Sequence, residues 1–197
     1  MVDIVERGLA EAKGALEALL SDRGTLELIA EAGRLMADTF SAGGTVLSCG
    51  NGGSLCDAMH FAEECSGRYR RDRRPLPALA ASDASHLSCC ANDFGWDSVF
   101  SRFVEAHGRE GGLLLAISTS GESANVLAAA RAARARGMRT VALTGRRGCA
   151  LAGLADLAIA TPAGPYSDHV QELHAMVIHL LVQMVERSLF PELYRGE

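Results

Sequence analysis

The chain has 197 residues, 48% of them hydrophobic and 22% charged, with a net charge of -5, which suits one domain, or a domain with an extension, of ordinary globular composition. A net negative chain with only 5% aromatics argues against a general nucleic-acid surface. No run approaches the roughly 18 apolar residues of a membrane span, and the early acids of MVDIVERGLAEAKGALEALL are unlike a signal peptide.

Residues 4–20 and 25–40 carry Leu, Ile and Ala at three- and four-residue spacing, which predicts two amphipathic helices with a turn at Ser21–Gly24 between them. Both precede the first strand and so cannot be crossovers of a βαβ unit. A helical pair in that position suits contact with another copy of the chain. Residues 1–42 therefore read as an oligomerisation extension and 43–197 as the core of a single domain.

The core opens with the stretch GTVLSCGNGGSLCDAMHFAEECSGR, residues 44–68. It predicts a buried strand (Thr45–Cys49), a glycine turn (Gly50–Gly53) and a helix from Ser54. An arginine-rich segment follows (Arg68, Arg70, Arg71, Arg73, Arg74), read as a solvated loop or as a contact for an anionic substrate or a neighbouring subunit. Then come a short strand (Ala78–Ala81), a helix from Asp83 to Ala91 ending near Asn92–Gly95, and a helix over Ser98–His107. The run Leu113–Ile117 is a buried parallel-type strand, followed by the hydroxyl-rich Ser118–Ser123 and a helix over Ala124–Arg136. Strands at Thr140–Leu143 and Leu157–Ala160 precede a long final helix, capped by Ser167 or Asp168 and reaching about Leu189. This alternation predicts an α/β fold, a three-layer αβα sandwich with a central parallel sheet and two helices ahead of it.

Ligands in such sheets bind beyond the carboxyl ends of the strands. That rule brings Gly50–Ser54 and Ser118–Ser123 to one edge. The glycine turn has neither the GxGxxG spacing of a dinucleotide fold nor the GK[ST] ending of a P-loop. With no lysine in either loop, a small phosphate monoester fits better than a triphosphate. His60 and Glu64 lie at i and i+4, one face of one helix, and suit a metal or a proton-transfer pair. The last helix adds Asp168, His169, Gln171, Glu172, His174 and His179. By periodicity Glu172 falls about 20° from His179 and Gln171 about 80°, so spacing alone pairs Glu172 with His179. The surroundings of His179 also suit a core histidine bonded to a carbonyl. The cysteines at 49, 56, 65, 89, 90 and 149 form no CxxC pair and read as reduced thiols, mostly in the core, of a cytoplasmic protein.

Five segments together carry a resemblance: SCGNGGSLCDAMHFAEE (48–64), ANDFG (91–95), AISTSGES (116–123), ALTG (142–145) and QELHAMVIH (171–179). On these the chain resembles the phosphoheptose isomerases of the sugar isomerase (SIS) superfamily, over essentially its whole length. The resemblance implies a flavodoxin-like SIS fold, a cytoplasmic homotetramer with the first two helices packed between subunits, and one Zn2+ per subunit held by His60, Glu64, Gln171 and His179. Ligation by Gln171 departs from the periodicity reading of Glu172. The implied activity is aldose–ketose isomerisation of sedoheptulose 7-phosphate to D-glycero-D-manno-heptose 7-phosphate, the first step toward nucleotide-activated heptose for the lipopolysaccharide core. Glu64 and His179 are the implied catalytic pair. Implied substrate contacts are Asn51, Gly52, Gly53, Glu64, Asn92, Asp93, Ser118, Thr119, Ser120, Ser123 and Gln171, with Arg68 and Asp168 in support. Glu122 stands where the family commonly has asparagine, and so adds an acid beside the expected phosphate loop. The alternative is a non-catalytic relative of the replication-initiator-associating type, which Ser188–Pro191 resembles.

Overall fold

The computed structural model describes residues 1–196. It contains seven helices: α1 (Val2–Ser21), α2 (Arg23–Ser41), α3 (Gly53–Ser66), α4 (Ala84–Phe94), α5 (Val99–His107), α6 (Ala124–Ala135) and α7 (Ser167–Leu189). Five strands accompany them: β1 (Val46–Cys49), β2 (Ala78–Ala80), β3 (Leu113–Ser118), β4 (Arg139–Thr144) and β5 (Leu157–Ala160). Short 3-10 turns at Trp96–Ser98 and Pro191–Tyr194 complete the path; the first takes over the start expected for the helix at Ser98.

All strand pairs are parallel, in the order β2-β1-β3-β4-β5. The two central strands are buried along their whole length, as continuous apolar runs require when helices cover both faces. Successive side chains of a strand point to opposite faces, and β3 divides accordingly. Leu113, Leu115 and Ile117 join the core under α2, α3 and α7. Leu114 and Ala116 join the core under α4, α5 and α6. This is the three-layer sandwich expected. The strand order reverses between β1 and β3, so the crevice beyond their carboxyl ends is the fold's ligand position.

α2 buries one face fully, including Ile29, Ala32, Met36 and Phe40, whereas α1 buries only Leu19. Asp22 caps α2 by accepting from the Thr25 N–H at 3.2 Å. The caps expected for α7 are not used: the helix starts at Ser167 with no side-chain cap bond. The Asp168 carboxylate accepts instead from the His169 N–H at 2.8 Å. The arginine segment is also not simply solvated. Arg73 is fully buried against Glu186 of α7, with Nε 3.0 Å from Oε1. Arg73 also donates to the Glu64 and Cys65 carbonyls at 2.6 and 2.7 Å, satisfying the open C-terminal end of α3. Tyr194 donates to the other Glu186 oxygen at 2.5 Å. No disulfide forms among the described residues; Cys49, Cys65, Cys90 and Cys149 are buried and Cys56 and Cys89 exposed.

Candidate active site

Two loops face each other across the β1/β3 switch point. After β1 the chain turns through Gly52 at φ 56° to start α3, a left-handed backbone that suits glycine. After β3 it turns through Gly121 at φ 68°, where a Cβ would lie 2.2 Å from the Cys149 sulfur. A reciprocal amide pair joins the loops. Asn51 Nδ2 donates to Asn125 Oδ1 and Asn125 Nδ2 to Asn51 Oδ1, both at 2.8 Å. Asn125 is buried and also accepts from the Val126 N–H. Sequence reasoning missed it, because an asparagine inside a helix gives no local signal of a partner 74 residues away.

The second loop gathers its hydroxyls. Ser118 Oγ lies 3.0 Å from Ser123 Oγ and 3.4 Å from Ser120 Oγ, and accepts from the Gly121 N–H at 3.1 Å. Ser123 stands at the α6 N-cap but makes no cap bond; its hydroxyl turns to Ser118. Thr119 is half-buried and Ser120 exposed. Donors are thus concentrated at a helix N-terminus, which suits an anion. Glu122 does not project idly beside them. Its Oε1 accepts from the Ala150 N–H at 3.0 Å and lies 3.3 Å from Arg146 Nη2.

The metal candidates come from two helices running in the same direction. Gly53 of α3 lies against Gln171 of α7, so closely that a Cβ on Gly53 would be 2.5 Å from Gln171 Oε1. Two turns further along both helices, His60 Nε2 lies 3.3 Å from His179 Nε2 and 3.3 Å from Glu64 Oε1. One ligand atom from each of these three residues lies within 4.8 Å of the others. For ligand bonds of about 2.0–2.1 Å the edge of a tetrahedron is about 3.3–3.4 Å, so the two shortest separations match a shared divalent ion. The donor set, two imidazoles and a carboxylate, suits zinc. The Tyr69 ring stacks on His179 with centroids 5.8 Å apart. One turn before His60, Asp57 Oδ2 is buried without a hydrogen bond, and burial pushes its carboxyl up to about 6 against the opposing effect of His60.

The remaining expected residues divide. Gln171 packs over Gly53 rather than among the three converging side chains. Glu172, the partner that periodicity suggested for His179, is half-exposed and takes a 2.7 Å contact from His169 Nδ1. Helix phase alone mispaired it, because the 20° offset ignored the two turns of rise between the residues. The core histidine is His174, not His179: its side chain is wholly buried. Asn92 and Asp93 sit in the exposed last turn of α4, where Asn92 Nδ2 donates to Asp93 Oδ1 at 2.7 Å. Arg68 is exposed just beyond α3, and Asp168 is exposed in the first turn of α7.

Comparison with known proteins agrees with this architecture. Residues 10–145 match the SIS domain family. A phosphoheptose isomerase of Yersinia pestis is 54% identical over 187 residues, covering 95% of this chain and 97% of the relative. The phosphoheptose isomerase structure from Neisseria gonorrhoeae superposes with a TM-score of 0.86 at 38% identity, covering 93% of this chain and 97% of that one. The one from Francisella tularensis gives 0.88 at 30% identity, covering 94% and 98%. The chain therefore belongs to the SIS-domain family and, within it, to the phosphoheptose isomerases.

Proposed function

We propose that this enzyme isomerises sedoheptulose 7-phosphate to D-glycero-D-manno-heptose 7-phosphate through an enediol, at the start of nucleotide-activated heptose synthesis for the lipopolysaccharide core. The observation that carries the reading is the convergence of His60, Glu64 and His179 beside α3 and α7, in a member of the phosphoheptose isomerases. The convergence of Glu64 and His179 with His60, together with 54% identity to a phosphoheptose isomerase, favours the isomerase over the non-catalytic alternative.

Ser118, Thr119, Ser120 and Ser123 hold the phosphate end through hydroxyls and backbone amides. Asn51, Gly52, Gly53 and Gln171 form the wall against the open-chain sugar, with Asn92 and Asp93 as further substrate contacts and Arg68 and Asp168 in support. His60, Glu64 and His179 would hold one Zn2+ per subunit; as a fourth ligand Gln171 must first withdraw its amide from Gly53. When bound, the ion polarises the substrate carbonyl and stabilises negative charge on its oxygen. A carboxylate has two oxygens and an imidazole two nitrogens, so each side chain can face the metal with one atom and the substrate with the other. Glu64 takes the proton from the carbon beside the carbonyl and returns it to the neighbouring carbon; His179 moves the proton between the two oxygens. The protein works as a cytoplasmic homotetramer.

The test is incubation with sedoheptulose 7-phosphate, following aldose formation with and without added zinc, for the natural protein and Glu64→Gln. The natural protein should turn over and lose activity on chelation. Glu64→Gln should keep its fold and lose at least about a thousandfold in kcat, within the range general acid–base groups contribute. Near-normal turnover by that variant overturns the role of Glu64, and unchanged turnover by metal-free protein overturns the role of the ion.

A further inference from the structure

A phosphate dianion calls for positive charge, yet the loop that would hold it contains one acid, Glu122, and no Lys or Arg between Ser118 and Ser123. The next strand ends in a cation beside that loop. Arg146, just beyond β4, donates Nε to the Ser120 carbonyl at 2.8 Å and brings Nη2 to 3.3 Å from Glu122 Oε1. With Thr119, Ser120, Gly145, Tyr166 and Ser167 it lines a cavity of about 330 Å³ at the carboxyl edge of the sheet. A guanidinium is planar and forked, and matches a phosphate with two parallel bonds.

The ion pair with Glu122 is well placed to be exchanged. Its side chains are 59% and 47% exposed, and an exposed pair of this kind contributes little in water. Glu122 also keeps a partner if Arg146 turns away, because the Ala150 N–H remains bonded to it at 3.0 Å. Meanwhile the bond to the Ser120 carbonyl keeps the guanidinium beside the serine loop.

We propose that Arg146 is the cation that recognises the phosphate end of the substrate and that Glu122 is its resting partner, so that this pair sets how tightly phosphate is held. The inference rests on the sugar-phosphate reading above. It predicts opposite outcomes for the two halves of one ion pair, which a purely structural latch does not.

The test measures KM and kcat for sedoheptulose 7-phosphate, and the inhibition constant of inorganic phosphate, in the natural protein and in Arg146→Ala, Arg146→Lys and Glu122→Gln. Arg146→Ala should raise KM and the phosphate inhibition constant roughly ten- to a hundredfold, as loss of a charge-assisted bond implies, with kcat changing far less. Arg146→Lys should recover part of the loss, and Glu122→Gln should bind phosphate more tightly than the natural protein. An inhibition constant unmoved by Arg146→Ala overturns the inference. So does a weakening by Glu122→Gln that parallels Arg146→Ala, because the pair then only holds two loops together. Absence of turnover by the natural protein overturns the isomerase reading instead, so the two failures are distinct.

Discussion

At the scale of single residues, burial decides which histidine does what. His60 and His179 are half-buried and face each other, while His174 is wholly buried on the same helix. Burial pushes the His174 imidazole down to about 4, with the Thr144 backbone opposing. It is therefore neutral in the folded protein near pH 7, and in the unfolded chain it titrates near its ordinary 6.5. As pH falls through that window, the unfolded chain takes up a proton that the folded one refuses. Stability is full above about pH 6.5, falls as pH drops toward 4 and levels off below it, by about 3 kcal/mol at most. His174→Leu should flatten this part of the acid limb. Urea unfolding midpoints at several pH values between 7 and 4 check it, and an identical pH slope in both proteins would refute it. The difference between the two proteins isolates His174 from Asp57, whose raised carboxyl works in the opposite direction.

At the scale of elements, the site depends on two helices keeping their register. Gln171 meets Gly53 at one point along α3 and α7, and His179 meets His60 two turns later. Beyond that, the buried Arg73–Glu186 pair locks the C-terminal end of α3 to α7. Burial and the Glu186 carboxylate push the Tyr194 hydroxyl up to about 12, so it stays protonated and donates. Arg73→Met leaves a buried carboxylate without its cation, which costs about 3–5 kcal/mol. Urea unfolding should show that loss, and adding Glu186→Leu should recover much of it. If Arg73→Met is as stable as the natural protein, the pair is not the brace described. Only contact across 113 residues revealed Arg73 as structural; in the sequence it is one arginine among five.

At the scale of the whole molecule, α1 is the element with an unexplained surface. Val2, Ile4, Val5, Leu9, Leu16 and Leu20 are between 41% and 69% exposed. An apolar face this long on an N-terminal helix agrees with the proposed tetramer, in which another subunit covers it. Leu9→Glu with Leu16→Glu should lower the assembly mass measured by sedimentation or light scattering, while far-ultraviolet circular dichroism stays helical. An unchanged mass would remove α1 from the interface.

The sequence by itself determined the layering of this molecule. Continuous apolar strands, amphipathic helices and glycine turns are local patterns, so the αβα order, the two loops at one sheet edge and the His60/Glu64 pair were all legible in it. The resemblance of its motifs supplied the family, which the comparisons bear out. Tertiary structure alone decided which distant side chains meet. It joined Asn51 to Asn125, buried Arg73 on Glu186, turned Glu172 outward to His169 and gave Glu122 a partner in Arg146. The physical reason is that periodicity fixes the direction of a side chain around its own helix, whereas a contact also depends on the rise along the axis and on how another element is placed beside it. Those two quantities are set by packing over the whole core, and no single stretch of the chain contains them.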